Sequence, residues 1–452
     1  MAEPYPIYRP RKPHLSPFYQ CVQDHYETLE MLWPERFEKR YGFWRPYLKE
    51  VMVRYLACGD FHEGFARIRC DKCGTERILA YSCKRRYLCP SCHQKRSVAF
   101  GEWVLTHVLP PVPYRHFVLS IPKILRRFFL RDRRLFVDLS RCGWQALRTV
   151  IRAAVPEAGP EPGAVVATQS FGEFPERFHP HLHILATDGA FYGKSLFRVA
   201  ARFPMKALER IFRHRLLRIL LDKGRISPET IRIMDRWRHS GFNVYCGPRI
   251  LPWEKRSLER LSAYLIRSSF SQERMEYLPD QARVQYRSKD GKEHKSYDAL
   301  EWLAAMGTHV PGRGQQSVRY YGFLSNASRG KRRKQQQEGE EPLPTVLEPE
   351  AAAEGLGKNS AWARFIQRVY EVDPLECPAC GGRMKVISFI HDPVVIRKIL
   401  EHLGLWLANA RPVPRAHSPP PVPEGPPDPS FSQLSPAYEN EFSQLPPVQW
   451  DF

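Results

Sequence analysis

The period of apolar and polar positions changes several times along the chain, and each change predicts an element. Between Glu35 and Leu56, apolar residues recur at helical spacing (Phe37, Tyr41, Trp44, Leu48, Val51) with charges between them, so a helix should lead into the cysteines that begin at Cys58. A strand reads from Tyr114 to Pro122, helical patterning from about 124 to 155, and a strand pair over 163–171 and 181–187 joined by a polar loop. Helix returns over 195–222, followed by a strand at 242–246, a helix at about 258–268, short strands at 274–277 and 284–287, and a helix at 296–306. Helices mixed with hairpin-like strand pairs predict an α+β fold on a largely antiparallel sheet that ends near residue 328.

Beyond that sheet the pattern fades. The polar, Pro/Ala/Glu-rich stretch 331–360 cannot bury apolar surface and is expected to be a disordered linker. A small unit over 361–410 surrounds Cys377-Pro-Ala-Cys380-Gly-Gly, and the Pro-rich stretch 411–452 reads as a disordered tail. With 452 residues the chain is too long for one core. The expected layout is an N-terminal arm (1–34), a cysteine-bearing module (35–105) and the mixed domain (106–330), then linker, small unit and tail.

Charge narrows the partner. The 69 Lys and Arg residues against 48 Asp and Glu give a net charge of +21, which favours a polyanion, most commonly nucleic acid. Basic residues interleave with aromatics in Lys84-Arg-Arg-Tyr-Leu and Arg319-Tyr-Tyr-Gly-Phe, as in surfaces that grip a backbone and stack bases. A merely solvated or membrane-surface basic face is the plainer alternative. No run of eighteen apolar residues exists and the first residues are polar and proline-bearing. A cytoplasmic protein with no membrane partner is therefore expected, with eleven cysteines in a reducing compartment where close pairs bind metal.

Cys70-x2-Cys73-x15-Cys89-x2-Cys92 fits a four-cysteine Zn2+ pattern, with Gly74 and Pro90 supplying the turns. A closed thiolate site has no open coordination position, so its role would be folding and DNA docking. Cys58, His62, Cys83 and His93 lie nearby, and an ordinary buried or supporting role is the preferred reading for each. Cys377 and Cys380 form half a site, either for a second zinc or as a structural pair; only His391 and His402 follow as further ligands, at spacings that match no strong pattern.

His181-Leu182-His183 places two imidazoles on one face of a strand, because strand side chains alternate. Two such rings can grip one divalent metal, or they can be ordinary core histidines. Tyr264, in a helical stretch with Arg267 one turn on, adds a nucleophile and a guanidinium suited to a phosphate; a packed core tyrosine is the plainer reading. Tyr320 and Tyr321 are rival nucleophiles for which stacking or packing is preferred.

The order of the strand Phe117-Val-Leu-Ser-Ile-Pro, then His-Leu-His, then Tyr-x-x-Arg resembles the HUH endonuclease superfamily. Tyr55-Leu-Ala-Cys-Gly-Asp, Ser82-Cys-Lys-Arg-Arg, Cys89-Pro-Ser-Cys, His179-Pro-His-Leu-His, Val318-Arg-Tyr-Tyr-Gly-Phe and Ser325-Asn-Ala-Ser-Arg-Gly more closely resemble the insertion sequence 91 family of rolling-circle transposases. The resemblance covers about residues 35–330 and continues through the C-terminal cysteine unit. It implies a zinc-binding domain at 35–105 and a ferredoxin-like catalytic sheet at 106–330. His181 and His183 would hold Mg2+ or Mn2+, with Gln169 or His179 as third ligand. Tyr264, clamped by Arg267, would attack single-stranded DNA at element ends and target, leaving a 5′-phosphotyrosine and a free 3′-OH.

The family's founding pattern has a second tyrosine four residues after the first, where this chain has Ser268. A single-tyrosine variant is implied, in which Tyr264 is reused or a second copy supplies its own through self-association. The protein would be nucleoid-associated when bound to DNA. A rolling-circle replication initiator or relaxase would use the same site, and a non-catalytic zinc-dependent DNA-binding regulator is the alternative of another class.

Overall fold

The computed structural model describes residues 13–406 except 86, 194–195, 201, 338–344 and 347–374. The first helix, α1 (Pro17–Leu32), is started by Ser16, whose hydroxyl accepts the Tyr19 N–H, and by Pro17 at its first position. It buries Phe18, Val22 and Leu29, so residues expected to form an arm belong to the core. The helix expected over 35–56 is interrupted. The short α2 (Glu38–Tyr41) stops at Gly42, which sits at φ +82°, and α3 (Pro46–Leu56) restarts at Pro46. Gly42 accepts the left-handed conformation and Pro46 suits a first helical turn, so the two break a pattern whose apolar spacing is continuous.

Hairpin β1 (Phe65–Cys70) and β2 (Glu76–Ala80) leads to α4 (Pro90–His107), then β3 (Tyr114–Ser120), α5 (Lys123–Arg131), α6 (Leu135–Ala153), β4 (Gly163–Phe171) and β5 (Phe178–Thr187). The chain continues through β6 (Gly189–Tyr192), β7 (Leu196–Val199), α7 (Met205–Asp222), α8 (Pro228–Asp235), β8 (Asn243–Ile250) and α9 (Lys255–Leu265). A meander of β9 (Met275–Leu278), β10 (Arg283–Arg287) and β11 (His294–Asp298) precedes α10 (Ala299–His309), β12 (Val318–Gly322) and α11 (Asn326–Gln337). Last come the two-residue β13 (Thr345–Val346), β14 (Met384–Ile390) and α12 (Pro393–His402). The helix expected over 195–222 thus begins only at Met205, β7 occupying its first positions.

The central sheet has the order β12-β4-β5-β3-β8 with every neighbour antiparallel. Its β3-helix-β4-β5-helix-β8 core, with α6 and α7 packed together on one face, is the ferredoxin-like arrangement. Alternation along β5 sorts its residues. Leu182, Ile184 and Ala186 join Phe117, Leu119 and Val166 under α6 and α7. Leu185 joins Val165 and Ala167 on the opposite face, under Val104 of α4 and Leu258, Leu261 and Leu265 of α9. His181 and His183 have the parity of Leu185 and lie on that second face.

The N-terminal helices share a separate core with α10, which is buried all round except at Glu301. Arg45 donates to the Gly307 and Val310 carbonyls and Arg133 to the Thr308 carbonyl, so two guanidiniums satisfy the end of α10.

Two expectations about the C-terminal region change. Helix α11 runs through the start of the expected linker, to Gln337; the remainder of 331–360, apart from β13, and the tail 411–452 lie outside the described residues. The cysteine unit expected to stand apart at 361–410 instead joins the N-terminal hairpin: β1 lies between β2 and β14, antiparallel to both. Backbone pairing satisfies the free edge of β1, which no local pattern reveals. Among the described residues, no helix is long and apolar enough to cross a membrane.

Candidate active site and metal centres

Strand register sets out the histidine site. His181 lies opposite Ser120 of β3 and Gln169 of β4, and His183 opposite Val118 and Ala167. The two Nε2 atoms are 3.0 Å apart. Two donors held at right angles about 2.1 Å from one ion would be separated by about 3.0 Å, so the pair fits a single divalent metal. His181 Nδ1 is 2.7 Å from the His179 carbonyl oxygen. A carbonyl only accepts, so Nδ1 carries the hydrogen and Nε2 presents its lone pair. Burial keeps both rings neutral, pushing His181 down to about 3 and lowering His183 as well.

A third histidine enters that the sequence reading passed over as part of a strand. His116 Nε2 lies 3.0 Å from His183 Nδ1, with the two rings stacked at 5.2 Å and 10°. Burial pushes His116 down to about 4. Its place on an alternating strand was legible; that β3 lies against β5 was not.

Tyr264, in the last turn of α9, stands edge-on to His183 with ring centroids 5.2 Å apart at 89°. Its side of the site is open, the residue being 39% exposed. The helix ends at Leu265, so Arg267 is not one helical turn along as expected. The chain instead turns, placing the guanidinium carbon 5.0 Å from the Tyr264 ring centroid and 5.1 Å from that of Phe171. Ser268 is likewise off the helix. Gln169 donates through Nε2 to the carbonyls of Tyr264 (3.3 Å) and Leu265 (3.1 Å), and its Oε1 accepts from Arg267 Nε at 3.3 Å. It ties the end of α9 to β4. The other third-ligand candidate, His179, is buried with its ring centroid 5.0 Å from that of His181. Tyr321 stacks on Trp144 and its hydroxyl is 3.0 Å from Ser140 Oγ, while Tyr320 packs edge-on to Trp103. Both pack as expected.

The cysteines do not assemble as the linear spacing suggested. Cys70 and Cys73 do not meet Cys89 and Cys92; each pair belongs to a different cluster of four. The first unites Cys89 and Cys92 with Cys58 and Cys83, correcting the ordinary role preferred for the latter two. Its Cys58–Cys89, Cys58–Cys92 and Cys83–Cys92 Sγ separations are 3.7, 3.8 and 3.6 Å. The second unites Cys70 and Cys73 with Cys377 and Cys380, at 3.5 Å for both Cys70–Cys380 and Cys73–Cys377. Thiolates about 2.3 Å from a tetrahedral zinc lie about 3.8 Å apart, so both clusters suit Zn2+.

The reason for the exchange is geometric. Cys70 and Cys73 sit on a hairpin turn, whereas Cys89 precedes α4 and Cys92 lies in its first turn. A signal was available: glycine follows Cys73 and Cys380, but His93 follows Cys92. His93 and His62 are no ligands of these clusters. His93 accepts the Tyr87 N–H and lies 2.5 Å from the Ile266 carbonyl oxygen, and His62 sits between Asp60 and the Trp406 carbonyl.

Comparison with known proteins follows this division. Residues 28–121 match a family model described as "Transposase zinc-binding domain", and residues 163–332 match one described as "Putative transposase". The chain is 25% identical over 403 residues to the transposase for insertion sequence element IS801 of Pseudomonas savastanoi pv. phaseolicola, covering 84% of this chain and 92% of the relative. It is 27% identical over 309 residues to "Putative transposase y4qJ" of Sinorhizobium fredii (strain NBRC 101917 / NGR234), covering 62% of this chain and 75% of the relative. No solved structure matches. With both its cysteine module and its histidine–tyrosine sheet matched, the chain belongs to the insertion sequence 91 family of transposases.

Proposed function

We propose that this transposase nicks and rejoins single-stranded DNA at its element ends through a 5′-phosphotyrosine on Tyr264, with Mg2+ or Mn2+ held by His181 and His183. The observation that carries the reading is Tyr264, half-open to solvent, standing over His183 with Arg267 against its ring. When bound, the ion would supply Lewis-acid polarisation of the scissile phosphate. The Tyr264 oxygen attacks phosphorus and gives up its proton to solvent. The bond to the 3′ oxygen breaks, and that oxygen leaves protonated as a 3′-OH. Arg267 stabilises the phenolate and the phosphate charge. The phosphotyrosine conserves the bond energy, so rejoining by a 3′-OH needs no nucleotide.

His116 is a positioning residue. With His183 Nε2 turned to a metal, Nδ1 must carry the hydrogen, and His116 Nε2 accepts it. Gln169 is assigned to holding α9 and Arg267, which leaves His179 as the protein's third-ligand candidate. With Ser268 in place of a second tyrosine, Tyr264 is reused or a second copy contributes its own.

The test is incubation of the purified protein with single-stranded element ends and Mg2+ or Mn2+, followed by denaturing electrophoresis. A covalent adduct mapping to Tyr264 is expected, absent in Tyr264→Phe and in His181→Ala/His183→Ala. An adduct on another residue, or one surviving the double histidine variant, would sink the proposal; DNA binding with no adduct at all would favour a non-catalytic regulator.

A further inference from the structure

The second cysteine cluster joins residues some 300 positions apart, Cys73 and Cys377 being separated by 304. We propose that Cys70, Cys73, Cys377 and Cys380 bind a second Zn2+, and that this ion clasps residues 375–406 onto the β1–β2 hairpin. The clasp stands apart from the nicking chemistry.

Both halves of the cluster have the same backbone turn. In the first, Gly74 N donates to Cys70 O at 3.0 Å and Cys70 N to Thr75 O at 2.9 Å; in the second, Gly381 N donates to Cys377 O and Cys377 N to Gly382 O, each at 2.8 Å. Gly74 and Gly381 occupy the left-handed region at φ +74° and +66°, where a side chain would be strained. Each turn thereby aims two thiols the same way, and the turns face each other. They are stitched further by Asp71 N donating to Arg383 O at 3.2 Å.

Packing beside the cluster is close. A Cβ at Gly382 would lie 3.0 Å from Cys70 Sγ and 3.1 Å from Cys380 Sγ, so the position beside both halves admits only hydrogen without a shift. The crossed 3.5 Å separations are far longer than the disulfide bond of about 2.05 Å and close to the edge of a zinc tetrathiolate. On binding, four thiols release their protons and their sulfurs bond one Zn2+, with no change of oxidation state.

The clasp has contacts to hold in register. Strand β14 pairs with β1 from Cys70↔Met384 to Phe65↔Ile390. Ile396 and Leu400 of α12 bury Phe65, and His62 Nε2 lies 2.8 Å from the Trp406 carbonyl. These contacts are all noncovalent, and zinc adds a coordinate link across them.

Two measurements on the full-length protein test this. Zinc analysis should find two ions per chain, matching the two clusters, and one in both Cys377→Ser/Cys380→Ser and Cys70→Ser/Cys73→Ser. Cys380→His, which keeps four donors, should retain two and so separates loss of a ligand from loss of fold. A protease site inserted after residue 355 then allows cleavage of the folded chain: the C-terminal fragment should co-elute in size exclusion for the zinc-loaded parent and separate in Cys377→Ser/Cys380→Ser. One zinc in the parent, two in the double-serine variants, or a serine-variant fragment that stays bound as tightly as the parent's would overturn the proposal.

Discussion

Replacing Gln169 separates a residue that positions α9 from one that binds metal. Gln169 is 4% exposed and makes three hydrogen bonds, two donated to the last carbonyls of α9 and one accepted from Arg267. A neutral bond contributes about 0.5–1.5 kcal/mol and one to a charged partner about 1.5–3 kcal/mol; lengths of 3.1–3.3 Å place these near the low end. Gln169→Leu should therefore lose about 3 kcal/mol. Gln169→Glu keeps and strengthens the Arg267 bond but forfeits both donations. Its carboxylate also sits beside the negative end of α9, at a further cost of about 0.3–1 kcal/mol, for a net loss of about 1–2 kcal/mol. The assay is urea unfolding with and without saturating Mn2+, where a bound ligand adds stability by mass action. Both variants should be destabilised without metal and show the parent's Mn2+ increment. If Gln169→Glu instead gains a larger increment than the parent while Gln169→Leu loses it, Gln169 is a metal ligand and the positioning argument is wrong.

Other outcomes follow from the same contacts. His116→Phe keeps a ring stacked on His183 but removes the acceptor for its Nδ1–H, so Mn2+ affinity, read by titration calorimetry, should fall about 10–100-fold; unchanged affinity would remove His116 from the site. His309, fully buried against Ser170 and the Pro175 carbonyl, is pushed down to about 3 by burial, against about 6.5 unfolded. The unfolded chain therefore binds the extra proton: the contribution is complete above about pH 6.5 and is lost as pH falls toward 3, by at most about 5 kcal/mol. His309→Gln should flatten the acid limb of stability against pH, and an unchanged slope would contradict this. A Cβ at Gly322, at φ +58°, would lie 2.0 Å from the Pro162 carbonyl oxygen and 2.8 Å from Trp144, so Gly322→Ala should cost about 2–5 kcal/mol in thermal unfolding. A cost under about 1 kcal/mol would show that the β12 end relaxes freely.

Much of the site was legible because local rules govern it. Period-two alternation put His181 and His183 on one face, and their Nε2 atoms lie 3.0 Å apart. The helical pattern around Tyr264 is sound, but its end is not visible in it: the helix stops at Leu265, where Gln169, from a strand nearly a hundred residues earlier, donates to the last carbonyls. His116 was hidden for the same reason, since facing His183 depends on which strand pairs with β5. The arm expected over residues 1–34 gives way over its described part because α1 finds its partner in α10, far along the chain; residues 1–12 lie outside the described residues.

The cysteines divide the two kinds of knowledge most plainly. The sequence by itself determined that Cys-x-x-Cys pairs would each present two thiolates from one turn, because that geometry is closed within a few residues. Which pairs share an ion was decided by tertiary structure. Strand pairing of β1 with β14 carries Cys377 and Cys380 to Cys70 and Cys73, and α4 carries Cys89 and Cys92 to Cys58 and Cys83. Spacing along a chain fixes a turn, but a tetrahedral site needs partners in space.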